Sequence, residues 1–104
     1  MDFSFFAHME RIDKSQSQTR LYEEFIELCL LAEKGGFSTI WNGEHHGMNF
    51  TIAPNPFTNL VDLSHHTNSI KLGTATIVAP FWHPIKLAEE TAMADIITKG
   101  RLQL

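Results

Sequence analysis

The sequence predicts an α/β fold with parallel strands, about three and a half βα units within 104 residues. Short apolar runs alternate with longer amphipathic stretches, and each connection between runs is long enough for a crossover between parallel strands. Gly35-Gly36, Pro56, Pro84 and Gly100 stand at the joints of this pattern, where helices start or stop.

Met1 to Met9, rich in phenylalanine, reads as a buried first strand. The polar stretch RIDKSQSQ leads into a helix from Thr19, with Ser17 or Gln18 before it. Its apolar residues Leu21, Phe25, Leu28, Cys29 and Ala32 recur at three- and four-residue steps, one helix face. Leu30 and Leu31 widen that face, while Glu23, Glu24, Glu27 and Glu33 mark the solvent side. Gly35-Gly36 supplies the stop, because glycine tolerates positive φ. Phe37 to Trp41 is a second strand, and a second helix starts near Pro56, a residue suited to a first turn. SIKLGTATIVAPF, β-branched and apolar, is a third strand with Gly73 in its interior. HPIKLAEETAMADIIT is a third helix whose Leu87, Thr91, Ala94 and Ile97 are spaced for burial. Lys99-Gly100 ends it, and RLQL starts a fourth strand. A strand that stops at Leu104 leaves two expectations, a small open sheet or the N-terminal portion of a closed barrel, which typically needs about 250 residues.

Composition narrows the function classes. With 43% hydrophobic and 19% charged residues the chain suits one modest globular core. A formal net charge of -4 gives no electrostatic case for nucleic acid or for an anionic membrane surface. No segment has the roughly 18 consecutive apolar residues of a membrane span. The N-terminus lacks the pattern of a signal peptide. The single cysteine, Cys29, has no internal partner and lies mid-helix, which favours a buried thiol and a cytoplasmic location.

In parallel α/β folds, functional groups gather at the C-terminal ends of the strands. His8 follows the first strand, Glu44-His45-His46 the second, and Trp82-His83 the third. Adjacent histidines in extended chain point to opposite sides, so His45 and His46 are poorly placed to share a metal. Nor is there an HExxH or cysteine-rich pattern. Acid–base work by an imidazole beside a carboxylate fits better. The plainer alternative is that these side chains cap loops or bond backbone groups. His65-His66 on the second helix reads as surface or interface, and His83 as the residue leading into the third helix. GTAT, taken alone, is a tight strand packed against a helix.

The fragments GGFSTIWNGEHH, NPFTNL and IKLGTATIVAPFWHPIKLAEETAMADIITKGRLQL, in this order and spacing, resemble the N-terminal segment of the bacterial luciferase-like flavin monooxygenases. The resemblance covers nearly the whole chain and is least exact in the first loop, FAHMERIDKSQ. It implies the N-terminal part of a TIM (β/α)8 barrel, with residues 1–104 an incomplete barrel domain. The implied activity uses reduced FMN and O2 on a small organic substrate such as an aldehyde, with a flavin reductase supplying the FMN. The catalytic residues it implies are His45, for proton transfer, and Glu44, with His46 in support. It places the flavin ring against the Ala75–Thr76 peptide, a bond that is often cis in such proteins. The phosphate of the flavin belongs to later strands, so the 104 residues alone are expected to be inactive and to bind flavin weakly or not at all. The resemblance also implies a homo-oligomer through helices two and three, and exposed sheet edges would favour association as well. The alternatives are a non-catalytic oligomeric scaffold derived from the barrel and a deazaflavin-dependent oxidoreductase.

Overall fold

In the computed structural model, which describes residues 1–49 and 51–104, one parallel sheet runs in the order β1 (Ser4–Ala7), β2 (Thr39–Asn42), β3 (Lys71–Thr74), β4 (Leu102–Gln103). Between them lie α1 (Gln18–Lys34), α2 (Pro56–His66) and α3 (Pro84–Ile97), with a short 3-10 turn at Ala79–Phe81. Spatial order equals chain order, so each helix carries the chain from one strand to its parallel neighbour. Phe6 lies opposite Trp41, Trp41 opposite Gly73, and Gly73 opposite Gln103.

Local chemistry sets the helix starts. The Ser17 side chain accepts the Arg20 N–H at 3.1 Å, and Asn55 accepts from Phe57 and Thr58, so both helices begin on side-chain caps. Side chains alternate across each strand, and one set faces the helices. Ala7, Ile40, Leu72 and Leu102 join Leu21, Phe25, Cys29, Phe57, Leu60, Leu63 and Ala94 in one buried cluster. Burial pushes the Cys29 thiol up to about 12, so it stays protonated and inert. The opposite set leaves Ser4, Phe6 and Lys71 exposed and Trp41 half-buried, a sheet face that no helix among the described residues covers.

Two contacts close the end of the sheet where the strands begin. Glu33, at the end of α1, accepts the backbone N–H groups of Asn68, Ser69 and Ile70. Arg101 donates to the carbonyls of Ser64, Ile70 and Thr98 and to the Thr67 hydroxyl.

The expected elements are all present, with corrected limits. The third strand stops at Thr74 instead of reaching Phe81. Beyond it, the Val78 N–H is taken by a side chain, and Pro80 has no N–H to offer a ladder. On α1, Leu21, Phe25, Cys29 and Ala32 are buried as the spacing predicts, but Leu28, Leu30 and Leu31 are exposed. Only Ala94 of α3 is fully buried, with Leu87 and Thr91 half-buried and Ile97 exposed. The helix rests mainly on α2, and the two-residue β4 offers little surface to cover.

Gly73 is a glycine because the Trp41 ring lies across it. A Cβ there would stand 2.3 Å from Trp41 Cε3. Gly73→Ala is therefore expected to push the indole aside and lower stability by about 1–3 kcal/mol. Urea unfolding should show the loss, and native tryptophan emission should shift. Leu60→Ala, in the helix-side core, should lose about 2–5 kcal/mol without that spectral change.

Candidate active site

β2 ends at Asn42, and the next residues project from the C-terminal end of the sheet. Asn42 itself is buried and polar. Its Nδ2 donates to the Ala7 carbonyl at 3.2 Å, and its Oδ1 accepts from Asn59 on α2 at 3.0 Å. That pair satisfies an amide which would otherwise be costly to bury, and it fixes the strand end against both neighbours. The His45 N–H then donates to the Ala53 carbonyl at 2.8 Å, pinning the loop that returns towards α2.

From this pinned backbone, alternate residues leave on opposite sides. His45 stands beside His8, with ring centroids 5.3 Å apart, and His8 in turn packs on Phe6 at 4.5 Å. The Ala75 N–H donates to the Asn42 carbonyl at 2.9 Å, which brings the end of β3 alongside. The Ala75–Thr76 peptide is cis. Gly43 sits between the two: a Cβ on it would be 3.2 Å from the Ala75 carbonyl oxygen and 3.2 Å from His45 Nε2. The missing side chain lets His45 and the Ala75–Thr76 peptide approach one another.

Glu44 and His46 point the other way. The Glu44 side chain has no solvent-exposed surface, and His46 Nε2–H donates to its Oε1. Its Oε2 accepts the Val78 N–H at 2.8 Å, and both oxygens accept from the Trp82 indole at 2.9 and 3.0 Å. Burial by itself would raise the acid's pKa. The hydrogen bonds from His46, Trp82 and Val78, with the attraction of His46, outweigh burial and hold the carboxyl below its ordinary range.

The expected convergence of histidines is thus split. His8 and His45 meet on one side; Glu44, His46 and Trp82 form a separate group on the other. His83 precedes α3 without a side-chain hydrogen bond to its first turn, and His65 and His66 lie in the last turn of α2, next to Val61 and Asp62. Sequence reasoning placed Trp82 on the right loop without a role, and gave none to Asn42, Asn59 or Val78. An asparagine closing an otherwise apolar strand is the signal that was there to use. Among the described residues, no group of three or more His, Cys, Asp or Glu side chains is arranged to hold a metal ion. None of their helices is long and apolar enough to cross a membrane.

A parallel sheet helix-covered on one face, with imidazoles and a glycine-lined peptide at its C-terminal end, matches the opening part of a (β/α)8 barrel. Residues 1–104 match the luciferase-like monooxygenase family, and the chain belongs to it. It is 62% identical, over its whole length, to the oxygenase component of the flavin-dependent trigonelline monooxygenase of Acinetobacter baylyi, and spans 29% of that protein. It is 34% identical over 87 residues to the alkanal monooxygenase alpha chain of Photorhabdus laumondii, covering 84% of this chain and 24% of that one. The fold matches the oxygenating constituent of 3,6-diketocamphane monooxygenase of Pseudomonas putida, solved in complex with FMN. There the TM-score is 0.88 at 22% identity, over 100% of this chain and 28% of the other. The family is one of enzymes, and this chain spans under a third of each of these relatives.

Glu33 and Glu44 both carry lowered pKa values. For Glu33, burial opposes the shift, and the backbone N–H groups of Ser69, Ile70 and Asn68 with nearby Arg101 overcome it. A carboxyl depressed in the folded state stabilises the protein fully above its unfolded value, near 4.5. That contribution disappears as pH falls through the lower folded value. Glu33→Gln and Glu44→Gln should therefore be clearly less stable than wild type at neutral pH. The gap in urea midpoint should narrow as pH falls below 4.5.

Proposed function

We propose that these residues form the N-terminal part of a flavin-dependent monooxygenase that uses reduced FMN and O2. His45 is its proton-handling residue, and Ala75 and Thr76 are the wall against which the flavin ring rests. The observation that carries the reading is the meeting of His45, Gly43 and Ala75 on the C-terminal end of the sheet. A flat ring fits there: Gly43 has no side chain, Ala75 and Thr76 are small, and Thr76 is exposed. Reduced flavin, when bound, supplies the electrons that activate O2. Neutral imidazole can accept or return a proton near pH 7, and the pinned His45 backbone holds its ring at the site. Glu44 serves in support of this arrangement.

The higher identity makes trigonelline the first substrate to test, with small aldehydes second. The wording "oxygenase component" in the relative's name supports a separate flavin reductase as the source of reduced FMN. The lone buried thiol suits a cytoplasmic protein. The enzyme works as a homo-oligomer through α2 and α3, whose groove of about 420 Å³ is lined by Phe57, Val61, Met93 and Ile97.

In the whole protein that carries these residues, His45→Asn should cut turnover by about 10²–10⁴-fold while leaving FMN affinity near wild type. Unchanged turnover with either substrate would sink the assignment of His45. The 104 residues alone, which supply one wall of the site, should bind FMN weakly in a fluorescence titration. Tight one-to-one binding would contradict that. Light scattering should give a mass above the 11.8 kDa monomer, and a clean monomer would remove the case for α2 and α3 as an interface.

A further inference from the structure

Residues 76–82 lie between the end of β3 and the start of α3. Within this segment the hydrogen bonds are local: Phe81 N–H to the Val78 carbonyl and Trp82 N–H to the Ala79 carbonyl. Among the described hydrogen bonds, those that tie it to the rest of the molecule come from Val78 N–H and the Trp82 indole. Both end on Glu44. Ring contacts reinforce the tie, Trp82 edge-on to Phe57 at 5.7 Å and His46 edge-on to Phe81 at 5.1 Å.

Glu44 cannot easily do chemistry from this position. Its side chain has no exposed surface, both oxygens already accept hydrogen bonds, and it leaves the strand on the side opposite His45. Its neighbour in sequence is nevertheless His45, and its partner segment begins at Thr76. The carboxylate therefore lies between the two parts of the site and bonds the second to the first.

We infer that Glu44 is a positioning residue: through Val78 N–H and the Trp82 indole it holds the segment 76–82, and with it the Ala75–Thr76 wall, in fixed relation to His45. Trp82 is its working partner, and His46 is the third donor that keeps the carboxylate oriented. The functional half of this inference rests on the flavin-facing reading of His45 and Ala75–Thr76; the structural half does not.

The structural half is tested on the ¹⁵N-labelled 104-residue chain. Trp82→Phe assigns its indole N–H against that of Trp41, the other tryptophan. The Trp82 signal should lie well downfield, as expected for a proton shared with a carboxylate, and move upfield in Glu44→Gln. Val78 amide exchange should rise about tenfold in that variant, the loss expected when a charged acceptor becomes a neutral one. An unmoved indole signal and unchanged exchange overturn the clamp. Glutamine keeps the shape and one acceptor, so the chain need not unfold for the effect to appear.

The functional half is tested on the whole protein with FMN itself. Glu44→Gln and Trp82→Phe should each weaken FMN binding by about tenfold, and the double variant should be little worse than either, as coupled partners behave. Turnover should fall in parallel. If Glu44→Gln abolishes turnover at unchanged FMN affinity while Trp82→Phe behaves as wild type, Glu44 is itself the proton carrier and the inference fails. A wild-type protein that binds no FMN defeats the monooxygenase reading instead. In that case the indole and amide measurements alone decide whether the clamp exists.

Discussion

A fully buried carboxylate is the constraint around which the rim of this sheet is arranged. An ionised Glu44 without donors would cost several kcal/mol to bury, so the chain has to bring N–H groups to it. It brings them from three places: His46 two residues on, Val78 beyond β3, and the indole of Trp82 at the start of α3. Those demands explain features that look unrelated. Past the end of β3, the Val78 N–H bonds to Glu44 and not to a neighbouring strand. The 3-10 turn at Ala79–Phe81 shortens the path so that Trp82 can reach the same oxygens. Both Glu44 oxygens are already engaged by these donors.

The same logic recurs at the other end of the sheet. Glu33 collects three consecutive backbone N–H groups, and Arg101 collects the carbonyls around them. There the carboxylate is partly solvated and its partners are all loop backbone, so its work is to close the α2–β3 connection. At the rim the carboxylate is dry and its partners include two aromatic heterocycles that line adjoining loops. One end therefore ties loop backbone together. The other ties the segment after β3 to the residue that precedes His45.

Much of this was legible in the sequence because periodicity reports burial. Leu21, Phe25, Cys29 and Ala32 are spaced for a helix face and are buried on one. Gly35-Gly36 and the prolines at 56 and 84 fall at helix ends for reasons local to their own backbones. The strand order placed the Glu-His-His run at the C-terminal end of the sheet, and adjacency separated His45 from His46. What could not be read was partnership across the chain. Glu44 to Val78 and Trp82, Asn42 to Asn59, and Trp41 over Gly73 are contacts that no local pattern announces. Apolar spacing also overstated burial: Leu28 and Ile97 have the right period but no neighbouring element among the described residues to cover them.

The two faces of the sheet finally divide the work between fold and function. The helix side is a closed apolar cluster in which the polar intruders, Asn42 with Asn59, satisfy one another. The other side carries Phe6, His8, Trp41 and His45, rings that pack on one another or on glycine. Alternation along a strand lets one residue serve each face in turn, so Asn42 can anchor the core while Trp41 and Gly43 shape the open side. Continued past the strand end, the same alternation sends Glu44 towards the helices and His45 towards the open face. Glu44 and His45 are therefore neighbours in sequence that point in opposite directions. Exchanging the two residues would leave an acid without donors on one face and an imidazole shut away from the open side on the other.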